Sequence, residues 1–141
     1  MSSSVAHFPE TYIGAMLLVA CVLAGLAALV HVYIFVLESL RWTDPATRRV
    51  FGTTDETAAV TQPLAYNQGF YNLFLAIGTA VGIGLTDHDR SAAVALIVFG
   101  TGSMLAAALV LITSDSSKLR AALVQGLLPA LALLSLLVWS L

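Results

Sequence analysis

Apolar and polar residues alternate along this chain in long blocks rather than in the short periods of a soluble fold. Four apolar runs stand out, Tyr12–Leu40, Pro63–Leu85, Ser91–Thr113 and Leu119–Leu141. Each is long enough for a helix to cross a bilayer, which takes about 20 residues. Short polar stretches separate them, Thr43–Gln62, Thr86–Arg90 and Ser114–Lys118. The pattern predicts an all-α fold, an integral membrane bundle of four transmembrane helices in a single domain. The tail Met1–Thr11 holds no Lys or Arg, and the run after it exceeds a signal-peptide core of about 7–15 residues, so the first run is read as a retained span. His7 belongs to that tail and reads as a solvated residue.

Composition sharpens this picture. The 141 residues are 59% hydrophobic and only 10% charged, against about 25% charged in soluble domains. Mean hydropathy is +0.92. The formal net charge of -2 and the lack of a basic patch leave no nucleic-acid signal. Cys21 is the single cysteine, so an internal disulfide is excluded; inside an apolar run it reads as a small packed residue. Basic residues set the orientation. Arg41, Arg48, Arg49, Lys118 and Arg120 lie in or beside the first and third connections, and only Arg90 lies on the other side. The asymmetry predicts that those two connections are cytoplasmic and that both termini face outside.

Several local features predict finer structure. Asp44-Pro45 marks a turn or helix start. Thr53 with Glu56 fits a capping box, so a short surface helix is expected from there, and Pro63 is expected in the first turn of the second span. Gly78-Thr-Ala-Val-Gly82 has the small-xxx-small spacing of a close helix contact, which predicts that Gly78 and Gly82 both face a neighbouring helix. Pro129 marks a kink in the last span. Asp87, His88 and Asp89 share a tight loop that offers no fourth ligand, and no metal site is assigned.

The polar residues inside the spans are the candidates for chemistry, because ionisable groups at membrane depth are costly. His31 and Glu38 are seven residues apart, almost two turns, and are expected on one helix face about 10 Å apart in depth. The second span opens with Asn67, Gln68, Tyr71 and Asn72, and the fourth carries Gln125. Antiparallel spans put all of these in the cytoplasmic half of the bundle. The expected binding site is therefore His31, Glu38, Asn67, Gln68, Tyr71, Asn72 and Gln125. Three classes follow: a binding or transport protein for a small solute or proton, with Glu38 and His31 as titrating groups; a membrane enzyme with His31 or Glu38 as acid/base on a lipid-soluble substrate; or an accessory subunit in which the cluster only holds helices together. No Ser-His-Asp set, phosphate loop or cysteine pair points to a particular reaction or cofactor. The bilayer is the expected partner, and a chain this small suggests a homo-oligomer or a larger membrane complex.

The elements His31-x-Tyr-Ile-x-x-Leu-Glu38, Trp42, Val50-Phe51-Gly52, Asn67-Gln68-Gly69-x-Tyr71-Asn72 and Gln125-Gly126-x-x-Pro129-Ala130 resemble the small bacterial membrane proteins catalogued as domain of unknown function 1304. The resemblance runs from the first span to the last. It implies a four-span topology in a bacterial inner membrane and carries no established activity.

Overall fold

A computed structural model describes residues 10–141, with side chains from residue 14 onward. The tail with His7 lies outside the described residues. Among them the fold is all-helical, without strands: α1 (Glu10–Phe35), a π-helical turn (Val36–Leu40), α2 (Pro45–Phe51), α3 (Asp55–Gly84), α4 (Arg90–Ser114), a 3-10 turn (Ser116–Lys118) and α5 (Leu119–Trp139). Helix α1 packs against α3 and α5, and α4 packs against the same two, so the four long helices form a ring with α1 and α4 on a diagonal.

Among the described residues, three segments are long and apolar enough to cross a membrane: Gly14–Leu40, Arg90–Ser114 and Ser116–Trp139. Helix α3, at 30 residues, is long enough, but Asn67, Gln68 and Asn72 keep it less apolar. Burial is arranged as membrane helices arrange it. The inward stripe of α1 is Ala20, Ala24, Ala27, Ala28 and His31, at helical spacing, while Leu18 and Leu29 are 65% and 66% exposed. Small residues inside and large apolar ones outside suit close helix contact within a hydrocarbon solvent. The inner contacts follow from this. A Cβ on Gly82 would lie 3.0 Å from the Ala93 carbonyl, one on Gly126 would lie 2.7 Å from Ala108 Cβ, and one on Gly100 would run into Thr79 Oγ1. Thr79 and Thr101, both buried, satisfy their hydroxyls on the carbonyls of Leu75 and Ile97 at 2.8 and 2.6 Å. Cys21 packs against the apolar cluster of Ala20, Ala24, Ile97, Ala132 and Leu136.

Three local expectations are corrected. Gly82 meets α4, but a Cβ on Gly78 would meet nothing within 4 Å, so only one of the two glycines is at a contact. The close face follows Ala76, Thr79 and Gly82, and Gly78 is turned away from it. The capping residue is Thr54, whose Oγ1 accepts from Thr57 N at 3.2 Å, and not Thr53, whose Oγ1 is buried without a partner. The helix that starts there is also not a short surface helix. It continues through Pro63 as one element, so the proline sits inside α3, past its first turn, and removes one backbone bond without ending the helix.

The expected helix start at Asp44-Pro45 is met. Pro45 starts α2 behind an extended Asp44, and Gly52 ends it in the left-handed conformation (φ 68°), which a Cβ disfavours. Lys118 Nζ then donates to the Phe51 carbonyl at 2.8 Å. That bond places a cation at the negative end of α2 and ties the two basic connections together at one end of the molecule.

Candidate functional site

The polar residues converge where α1 widens into the π turn. A π turn closes i→i+5 bonds and adds a residue to the turn. Here it spans Val36–Leu40 and carries Glu38 and Ser39. Three contacts fasten it to α3. Asn72 Nδ2 donates to Glu38 Oε2 at 2.9 Å. Ser39 Oγ donates to the Tyr66 carbonyl at 2.8 Å. Gly69 lies flat against the turn: a Cβ there would stand 3.2 Å from Glu38 Cβ, 3.0 Å from Ser39 N, and in collision with Ser39 Oγ. The glycine is thus what lets the two backbones approach closely enough for Asn72 to reach the carboxylate.

Aromatic residues flank the contact. Phe35 meets Phe70 edge-on with centroids 5.1 Å apart, and Phe70 touches Tyr66 and Phe74. One turn beyond, Trp42 Nε1 donates to Thr61 Oγ1 at 3.2 Å and its ring packs on Phe51 at 5.0 Å.

Electrostatically the carboxylate stands apart. Among the described residues the ion pairs are Arg41–Asp44 at 2.7 Å and Arg48–Asp55 at 2.8 Å, and no cationic nitrogen comes within 4.0 Å of Glu38. His31 is fully buried, and its Nδ1 is 2.9 Å from the Ala27 carbonyl. A carbonyl only accepts, so Nδ1 carries the hydrogen.

The seven expected residues are therefore distributed unevenly. The structure joins Glu38 to Asn72, and Gln68 adds its carbonyl, which accepts from Asn72 Nδ2 at 3.2 Å. The side chains of Asn67, Gln68 and Tyr71 are exposed. Gln125 is half-buried on α5, and among the described residues no hydrogen bond ties it to the pair. No hydrogen bond joins His31 to Glu38 either: seven residues set them about 10 Å apart along the helix, and the Val36–Leu40 π turn interrupts the regular α phase between them. Two residues that the sequence reading left out of the site belong to it, Ser39 and Gly69. The signal for both was adjacency, Ser39 next to the carboxylate and Gly69 inside the amide run. An open depression of about 330 Å³, lined by Arg90, Ser91, Val94 and Trp139, lies at the other end of the molecule and shares no residue with this site.

An all-helical fold with apolar spans, small residues inward and a carboxylate–amide contact at one end defines a membrane-type helical protein. Within that class, the family model described as "Protein of unknown function (DUF1304)" matches residues 25–137, and the chain belongs to that family. Searches of curated proteins and of solved structures found no match.

Proposed function

We propose that this protein is a four-span membrane protein, both termini outside, whose Glu38–Asn72 pair is a polar binding site in the cytoplasmic half for a small solute that it binds or carries across the bilayer. The observation that carries the reading is the 2.9 Å bond from Asn72 Nδ2 to Glu38 Oε2, made between two long helices. Ionisable residues in spans are rare and mark solute or proton paths. Supporting it, a π turn bears the acid, and such turns are frequent at functional sites. The reading takes α3 as the fourth span. Its segment from Pro63 to Gly84 is about 33 Å long at 1.5 Å per residue, matching a hydrocarbon core of about 30 Å, and it is packed between α1 and α4.

The test is counter-flux in proteoliposomes with a panel of labelled probes: a sugar, an amino acid, a primary amine and a quaternary amine. Flux of one probe in wild type and its loss in Glu38→Gln is the expected result. Equal flux of every probe in protein-free vesicles, wild type and Glu38→Gln would exclude carriage through this pair. The enzyme reading needs His31 or Glu38 to act as acid or base on a lipid-soluble substrate. With His31 Nδ1 held by Ala27 and no bond between the two residues, no observation favours it over binding.

A further inference from the structure

Glu38 Oε2 accepts from Asn72, and among the described residues Oε1 has no donor. The nearest guanidinium in sequence, Arg41, is closed onto Asp44 at 2.7 Å. A partly buried carboxylate with no protein cation is expensive at membrane depth, so its charge calls for a partner. The amide beside it has a defined orientation. Asn72 Nδ2 donates to two acceptors, Glu38 Oε2 and the Gln68 carbonyl, which leaves Oδ1 as an acceptor. Ser39 Oγ, the other polar group on the turn, is spent on the Tyr66 carbonyl. The free capacity of this cluster thus consists of oxygen acceptors carrying one formal negative charge.

Resting on the reading above, we propose that Glu38 and Asn72 form a site for one small monovalent cation, an alkali-metal ion or a proton. Single charge follows from a single carboxylate: among the described residues no group of three His, Cys, Asp or Glu is gathered anywhere. Ca²⁺ takes about six to eight oxygens, commonly from several carboxylates, and Mg²⁺ demands a near-octahedral set that it usually completes with waters and substrate phosphates. The pair also links α1 to α3 directly, so cation binding acts on the contact between two spans. The other titratable or charged groups on the elements packed against the π turn are accounted for. His31 is engaged with Ala27, Tyr33, Tyr66 and Tyr71 are exposed, and Asp55 and Glu56 lie in the first turn of α3.

The experiment uses the full chain in nanodiscs of zwitterionic phosphatidylcholine. Thermal unfolding is followed in NaCl, KCl and choline chloride at equal ionic strength, and in choline chloride across a pH series. For an alkali ion, NaCl or KCl raises Tm above choline chloride by about 3 °C or more, and Glu38→Gln removes the rise. For a proton, the salts agree, but Tm of the wild type follows pH in a way that Glu38→Gln abolishes. Asn72→Ala is the second variant. It keeps the carboxylate and weakens the alkali response about tenfold in half-saturating concentration, or displaces the pH response; it carries the test if Glu38→Gln does not fold. Identical salt and pH responses in wild type and both variants overturn the cation site. Glu38-dependent probe flux in proteoliposomes together with those identical responses overturns the cation and leaves the solute site standing. A Glu38-dependent cation response without flux of any probe upholds the cation and removes the carried solute.

Discussion

Glu38, Asn72 and Gly69 form the smallest unit with a function to test. Asn72→Ala removes the amide donor from the carboxylate. Hydrogen bonds to charged groups contribute about 1.5–3 kcal/mol, so unfolding in detergent should show a loss within that range. A loss near zero would mean that the bond is fully exchanged for water. Gly69→Ala should cost about 1–3 kcal/mol, because its Cβ runs into Ser39 and neither backbone can withdraw without breaking the Ser39–Tyr66 bond. At the opposite extreme lies Asp115, fully exposed in the turn before α5. The Ser117 hydroxyl, with its backbone N–H, holds the Asp115 carboxyl below its ordinary value. The sign is that of a depressed acid: its contribution is present above the ordinary carboxylate range and is lost as pH falls through the lowered value. Ser117→Ala should move the Asp115 titration back toward that ordinary range, measured by NMR of the side-chain carboxyl.

Among elements, the α3–α4 contact discriminates between two readings of one motif. Spacing alone makes Gly78 and Gly82 equivalent. The structure gives Gly82 the Ala93 carbonyl and Leu96, and gives Gly78 open space. Gly82→Leu should therefore lower Tm in detergent by several degrees, whereas Gly78→Leu should leave it nearly unchanged. Equal effects would place both glycines at the contact. Helix α2 is secured by a different device. Its orphan Phe51 carbonyl accepts from Lys118, so Lys118→Met should weaken the α2 segment by about 0.3–1 kcal/mol and speed proteolytic cleavage in the 41–54 connection while the long helices persist.

Across the whole molecule, the Lys118–Phe51 bond brings the first and third connections to one end, as alternating spans require. Thiols introduced near Ser3 and Asp87 should react with an impermeant reagent from outside, and one near Thr54 should be protected. Outside labelling at Thr54 would reverse the orientation. The outward-facing surface is the other whole-molecule trait: Leu18, Leu29, Phe99 and Val110 are exposed while alanines fill the interior. Spans of such composition were legible in the sequence because the length and apolarity of a helix are sums over neighbouring residues, and the family followed from local motifs. That Glu38 stands out was legible for the same reason, since an acid in an apolar run is conspicuous wherever it points. Which polar residues touch it was not legible. The choice of Asn72 over Asn67 for Glu38 and the turning away of Gly78 both depend on helix phase. Phase is set by one inserted residue in the π turn and by which small side chains let two helices approach. Composition and spacing carry no record of either. They arise only when α3 packs against α1 and α4, because only then does a backbone clash or a bond length select one rotation of each helix over the others.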